Sequence, residues 1–196
     1  MESIILIGPK HSGKTSAGKA IASICSCEFF DLDELILQRT GKSPRQLFSE
    51  DPALFKKAEA EALAVLAAVS SADSEAKGQR VIASGGGIID NGEALDILKK
   101  GRGESSHSEP EARSSGMTTV YLNISAETAW DRIVNSAGGE LPPFLRTENP
   151  RESHRVLHER RAAAYLQLAD IVIEAEGKTP EKIAKEILEL SENFNF

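Results

Sequence analysis

Eight residues near the N-terminus carry the first recognisable chemistry: Gly8-Pro9-Lys10-His11-Ser12-Gly13-Lys14-Thr15. Two glycines five positions apart, followed by Lys and Thr, have the spacing of a loop that wraps phosphate. Gly8 and Gly13 admit backbone angles that a β-carbon forbids, so the loop can turn its N–H groups inward. Lys14 is predicted to reach the terminal phosphates of a nucleoside triphosphate. The Thr15 hydroxyl is predicted to bind Mg²⁺, and Ser16 belongs to the same nucleotide-binding set. A second pair, Asp31-x-Asp33, offers two carboxylates at a strand end. Side chains two apart on a strand share a side, so one acid can serve the metal and the other can take a proton. The same pair also suits a helix cap with an acidic first turn. A third group, Gly85-Gly86-Gly87, lets main chain approach a ligand closely and present N–H groups.

These residues need elements to hold them. An apolar run, Ile4 to Ile7, leads into the first loop, and residues 14–25 follow with Ala17, Ala20, Ile21 and Ile24 at helical spacing. Further strands are read at residues 29–31, 80–84, 118–123 and 169–173. Helices are read at 33–39, from Ser43-Pro44, from Asp51-Pro52 to about residue 69, and at 92–100, 125–135, 151–168 and 180–190. Strands that alternate with helices predict a five-stranded parallel sheet covered on both faces, the three-layer α/β fold of P-loop NTPases. Ligands bind such sheets at the carboxyl ends of the strands. The loop 8–15, Asp31, Asp33 and the glycine triplet all fall there and should line one crevice.

Composition narrows the class. The chain has 196 residues, 27% charged and 40% hydrophobic, which suits a single globular domain over 1–196. A net charge of −7 argues against a general nucleic-acid or anionic-membrane surface. No apolar run approaches the ~18 residues of a membrane span, and no signal-peptide pattern precedes the first strand. Cys25 and Cys27 are read as reduced packing residues of a cytoplasmic protein. Three segments stand apart: residues 33–70 as an acceptor-binding helical segment, 101–117 as a polar insertion, and 136–150 as a lid loop with Gly138-Gly139 as a hinge.

The order of these motifs resembles the shikimate kinase family across nearly the whole chain, apart from the polar insertion. Gly8 to Thr15 matches its phosphate loop, and Thr40-Gly41-Lys42-Ser43 its Thr-Gly-x-Ser stretch. Ser84-Gly85-Gly86-Gly87 stands for its Thr-Gly-Gly-Gly, and Arg161 with Tyr165 for its Arg-x-x-x-Tyr helix. The resemblance implies an ATP-dependent kinase, adenylate-kinase-like in fold and mostly monomeric, that phosphorylates the 3-hydroxyl of shikimate. It further implies that Asp31 is metal-associated and that Asp33 binds the substrate hydroxyl and acts as base. Arg132 is then a nucleotide-side arginine, and Thr179-Pro180 an adenine-contacting loop. Arg161 grips the substrate carboxylate beside Gly85, Gly86 and Gly87.

Two positions depart from the pattern. Phe55-Lys56-Lys57-Ala58-Glu59 has Lys56 where the family has arginine, which replaces a planar fork by a single point charge. Leu141-Pro142-Pro143-Phe144-Leu145 has Pro142 where the lid arginine belongs, with Arg146 four residues on as a candidate replacement. Three readings follow: a divergent shikimate kinase, a kinase of the same fold for another hydroxylated acceptor, and a nucleotide-binding regulatory domain. Retention of Lys14, Thr15, Asp31 and Asp33 favours the enzymes.

Overall fold

The computed structural model describes residues 3–68, 80–101, 116–136, 141, 142 and 145–191. Five strands are found: β1 (Ser3–Ile7), β2 (Glu28–Asp31), β3 (Arg80–Ala83), β4 (Met117–Asn123) and β5 (Ile171–Glu174). The helices are α1 (Lys14–Cys25), α2 (Leu32–Thr40), α3 (Pro44–Glu50), α4 (Pro52–Ala68), α5 (Gly92–Gly101), α6 (Ala126–Ser136), α7 (Pro150–Leu168) and α8 (Pro180–Ser191). A 3-10 turn, Ile88–Asp90, precedes α5.

The sheet runs β2-β3-β1-β4-β5 and every pairing is parallel. β1 lies at its centre, buried at all five residues. Alternate residues of one strand feed two cores, as a period of two requires. Ile5 and Ile7 face a cluster with Leu32, Leu63 and Tyr165, from α2, α4 and α7. Ile4 and Leu6 face another with Ala17, Ile21, Ile183 and Ile187, from α1 and α8. Strands covered on both faces read as continuous apolar runs, which is why Ile4–Ile7 shows no alternation. Winding reverses at β1, with β2 and β3 on one side and β4 and β5 on the other. The loop after β1 therefore opens at the switch point where such sheets bind ligands.

Local chemistry sets the element ends. Ser43 and Gln46 form a reciprocal capping box at α3. The Ser125 hydroxyl accepts from Thr128 N at 3.1 Å and starts α6. Asn149, within the expected lid loop, caps α7 by accepting from Glu152 N. Strand ends differ from expectation by a residue or two: β2 begins at Glu28, β3 ends at Ala83, β4 begins at Met117, and β5 runs from Ile171 to Glu174. The polar insertion beyond residue 101, the Gly138-Gly139 pair and the end of the helical segment 33–70 lie outside the described residues. No described helix is long and apolar enough to cross a membrane.

Candidate active site

A cleft of about 840 Å³ opens above the carboxyl ends of the strands. Its floor is the loop between β1 and α1. Gly8 holds φ +142°, and a β-carbon there would lie 2.7 Å from the carbonyl oxygen of Leu122. Gly13, at φ +99°, ends the loop and starts α1. His11 also takes a left-handed angle, φ 61°, although it is not glycine. Arg132, on α6, donates to the carbonyl of His11 at 2.8 Å, and Ser136 Oγ lies 3.1 Å from His11 Nε2. The loop tip is thereby tied to the end of α6. Burial lowers the His11 pKa, and the cations of Lys10, Lys14 and Arg132 lower it further.

Lys14 is buried, and its ammonium turns back into the loop. It donates to the carbonyls of Gly8 (3.0 Å) and Pro9 (2.8 Å) and to Ser12 Oγ (3.4 Å). Desolvation brings its pKa down to about 8, against the attraction of Asp33 and Asp31. Thr15 donates its hydroxyl proton to Asp31 Oδ2 at 2.8 Å. The other Asp31 oxygen accepts from Asp33 N at 3.0 Å, which makes Asp31 the cap of α2. One Asp31 oxygen thus caps the start of α2, and the other faces the phosphate loop through Thr15. The strand periodicity expected for Asp33 does not apply, because Asp33 lies in the first turn of α2. The helix brings it to the cleft with Asp31 nonetheless. Burial of its carboxyl group raises the Asp33 pKa and Asp31 raises it further, while Lys14 and Lys10 pull it down.

Two glycines of the triplet make close approaches, and the third sits at ordinary contact distance. A β-carbon on Gly85 would meet Glu59 Oε1 at 2.9 Å and Asp33 Oδ1 at 3.3 Å. One on Gly86 would lie 2.7 Å from the backbone nitrogen of Lys10. One on Gly87 would lie 3.5 Å from Arg161 Nη2. The carbonyl of Gly86 accepts from Arg161 Nη1 (3.1 Å) and from the Tyr165 hydroxyl (2.8 Å). The absent side chains therefore leave room for carboxylates and for main chain of this protein.

Glu59 enters the sequence analysis only as part of a motif, yet three residues expected to bind the acceptor converge on it. It is fully buried on α4. Oε2 accepts from Asn91 Nδ2 at 2.9 Å, while Oε1 has no hydrogen-bond partner among the described residues. Burial pushes its pKa up to about 7. Asn91 and the charges of Arg161 and Lys56 act in the opposite direction, and Asp33 adds to the rise. Three predicted residues from three elements, Asp33, Lys56 and Arg161, thus lie within electrostatic reach of one carboxyl group. Asn91 also donates to the carbonyl of Lys56 at 2.8 Å, which fixes that turn of α4 against the start of α5. No spacing rule points to Asn91 or Asp90, since their partners lie 32 to 71 residues away in the chain. Gly8, Pro9, Lys56, Arg161, Gly85 and Gly87 do not line the cleft itself, whereas residues 10–16, Asp31, Asp33, Gly86, Arg132 and Pro180 do. Of the lid segment, Pro142 and Leu145 are buried and Arg146 is exposed.

Comparison with known proteins gives a consistent result. The family model described as shikimate kinase matches residues 10–192. A shikimate kinase from Thermodesulfovibrio yellowstonii is 30% identical over 196 residues, covering 100% of this chain and 98% of the relative. Among solved structures, the shikimate kinase of Aquifex aeolicus is 32% identical with a TM-score of 0.72, covering 98% of this chain and 97% of its own. The shikimate kinase from Acinetobacter baumannii, solved in complex with shikimate, is 26% identical with a TM-score of 0.78, covering 98% and 94%.

Proposed function

The chain belongs to the shikimate kinase family, and on that premise we propose that it transfers the γ-phosphoryl group of ATP to a hydroxyl of shikimate. The observation that carries this reading is the position of Asp33. Its carboxylate faces the same cleft as the phosphate loop, within the field of Lys14, and lies 3.3 Å from where a β-carbon on Gly85 would sit, beside the glycine turn. A base poised between a phosphate cradle and an acceptor pocket is the minimum a kinase needs.

In this reading the amides of residues 8–15 and Lys14 receive the triphosphate, and the lysine exchanges the carbonyls of Gly8 and Pro9 for phosphate oxygens. Arg132 and the Pro180 region complete the nucleotide side. Thr15 and Asp31 present adjacent oxygens at the foot of the cleft, the hard donor set that Mg²⁺ prefers, and would hold it. When bound, the cation neutralises charge on the phosphates. Asp33 accepts the proton of the acceptor hydroxyl as that oxygen bonds to the γ-phosphorus and the bond to the β–γ bridging oxygen breaks, releasing ADP. The raised basicity of Asp33 suits that task. Lys56 and Arg161 hold the acceptor's carboxylate, and Gly86 and Gly87 bind its ring hydroxyls, with Gly85 in the same substrate-binding turn. The 136–150 segment closes to exclude water. The same reading places the protein in the cytoplasm as a monomer, with Cys25 and Cys27 reduced.

The test is ADP release coupled to a reporter, with shikimate set against other hydroxy acids. Shikimate should stimulate release most strongly. Stimulation by another acid alone would reassign the acceptor. ATP binding with no acceptor-stimulated turnover would refute the kinase reading and favour a regulatory domain, which the loss of a lid arginine at Pro142 would suit.

A further inference from the structure

The arginine assigned to the acceptor's carboxylate already holds a carboxylate of its own protein. Asp90 closes the 3-10 turn that follows the glycine triplet. Its Oδ2 accepts from Arg161 Nε at 2.9 Å and from Arg161 Nη2 at 2.6 Å. Its Oδ1 accepts from Arg160 Nη2 at 2.8 Å. The third nitrogen of Arg161, Nη1, donates to the Gly86 carbonyl. Both edges of the guanidinium fork are therefore engaged, one of them by the group an acidic ligand would bring.

Charge and burial make this arrangement matter. The Arg161 side chain is 18% exposed and that of Asp90 31%, so their attraction is only partly screened; Arg160, at 63%, sits on the rim. Two guanidinium groups and one carboxylate leave the triad a single net positive charge. An incoming carboxylate either displaces Asp90 from the Nε–Nη2 edge or binds beside a like charge, and both cost affinity. The other cation assigned to the acceptor's carboxylate, Lys56, offers no second fork, only a point charge.

We propose that Asp90 is a specificity-determining residue. It stands in for the acceptor's carboxylate on Arg161, so acceptor binding exchanges one carboxylate for another and the pocket's preference for acids over uncharged polyols is muted. This rests on the reading of the acceptor as a hydroxy acid held by Arg161. It assigns Asp90 no contact with the reacting atoms.

The experiment compares the full-length wild type, Asp90→Asn and Arg160→Gln. Calorimetry measures equilibrium binding of shikimate and of its uncharged methyl ester. Asp90→Asn keeps the shape of the side chain and removes its charge. It should bind the acid about tenfold more tightly, the size expected for one partly screened charged hydrogen bond, and leave the ester unchanged. Arg160→Gln, on an exposed side chain, hands Asp90 wholly to Arg161 and should weaken acid binding about two- to threefold. Equal, weaker or undetectable acid binding by Asp90→Asn overturns the proposal, as does an equal gain for the ester. Phosphoryl transfer by the wild type is measured alongside. Its absence refutes the kinase reading, while the acid-to-ester comparison still decides the role of Asp90.

Discussion

Replacing Glu59 by Gln should make the protein more stable at neutral and alkaline pH, and leave it nearly unchanged in mild acid. An ordinary glutamate ionises at 4.5; burial raises Glu59 to about 7 in the folded protein. Between those values the folded chain keeps a proton that the unfolded chain has released, so stability falls as pH rises through the window and stays low above it. At about 1.36 kcal/mol per pH unit, the displacement amounts to about 3 kcal/mol. Solvent screening does not reduce it, because Glu59 has no exposed surface. Glutamine carries no such proton, and its side-chain oxygen can still accept from Asn91 Nδ2. Urea unfolding followed by the fluorescence of the single tryptophan, Trp130, would measure the effect. Between pH 5 and pH 8 the variant should gain about 2–3 kcal/mol relative to wild type. A difference that stays flat with pH, or one that favours wild type as pH rises, would show that Glu59 is ionised and paired in the native state. The account of the acceptor pocket would then be wrong at its centre.

Three further outcomes are expected. Asp33→Asn should lower kcat by about 10²–10⁴ while the Kd for ATP stays within a few-fold, measured by turnover and nucleotide titration; near-normal turnover would remove Asp33 as base. Gly86→Ala drives a β-carbon against the backbone of Lys10, 2.7 Å away, and should cost about 1–3 kcal/mol of stability together with ATP affinity. A Tm equal to wild type would show that the two loops part freely. Lys56→Arg restores a fork and should lower the KM for shikimate several-fold with little change in kcat; an unchanged or higher KM would argue that Lys56 does not meet the acid.

The sequence made the donor side legible because its chemistry is local. Gly8 to Thr15 is one continuous turn, and the apolar run before it and the helix after it follow from adjacent residues. Asp31 and Asp33 were found for the same reason, although the strand periodicity invoked for Asp33 gave way to a helix that Asp31 itself caps. The acceptor side was only partly legible. Arg161 and Lys56 were found through motif resemblance, but Asp90 pairs with Arg161 across 71 positions and Asn91 with Glu59 across 32. No periodicity relates residues joined through a sheet and two helices. The orphaned oxygen of Glu59 depends on how α4, α5 and the glycine turn pack, which only the assembled fold determines.

The contact between Gly86 and Lys10 has a bearing on how this enzyme can change over evolutionary time. Donor loop and acceptor turn meet there main chain to main chain, with no side chain between them. Such a junction has no rotamers to vary and offers mutation nothing to trim. On the proposed reading, replacements at Lys56, Asp90 or Arg160 would alter which molecule is gripped without touching this junction. The separation of the two loops is set by strands β1 and β3, which lie side by side in the sheet. Acceptor preference can therefore drift residue by residue while the spacing between the two loops is inherited with the sheet.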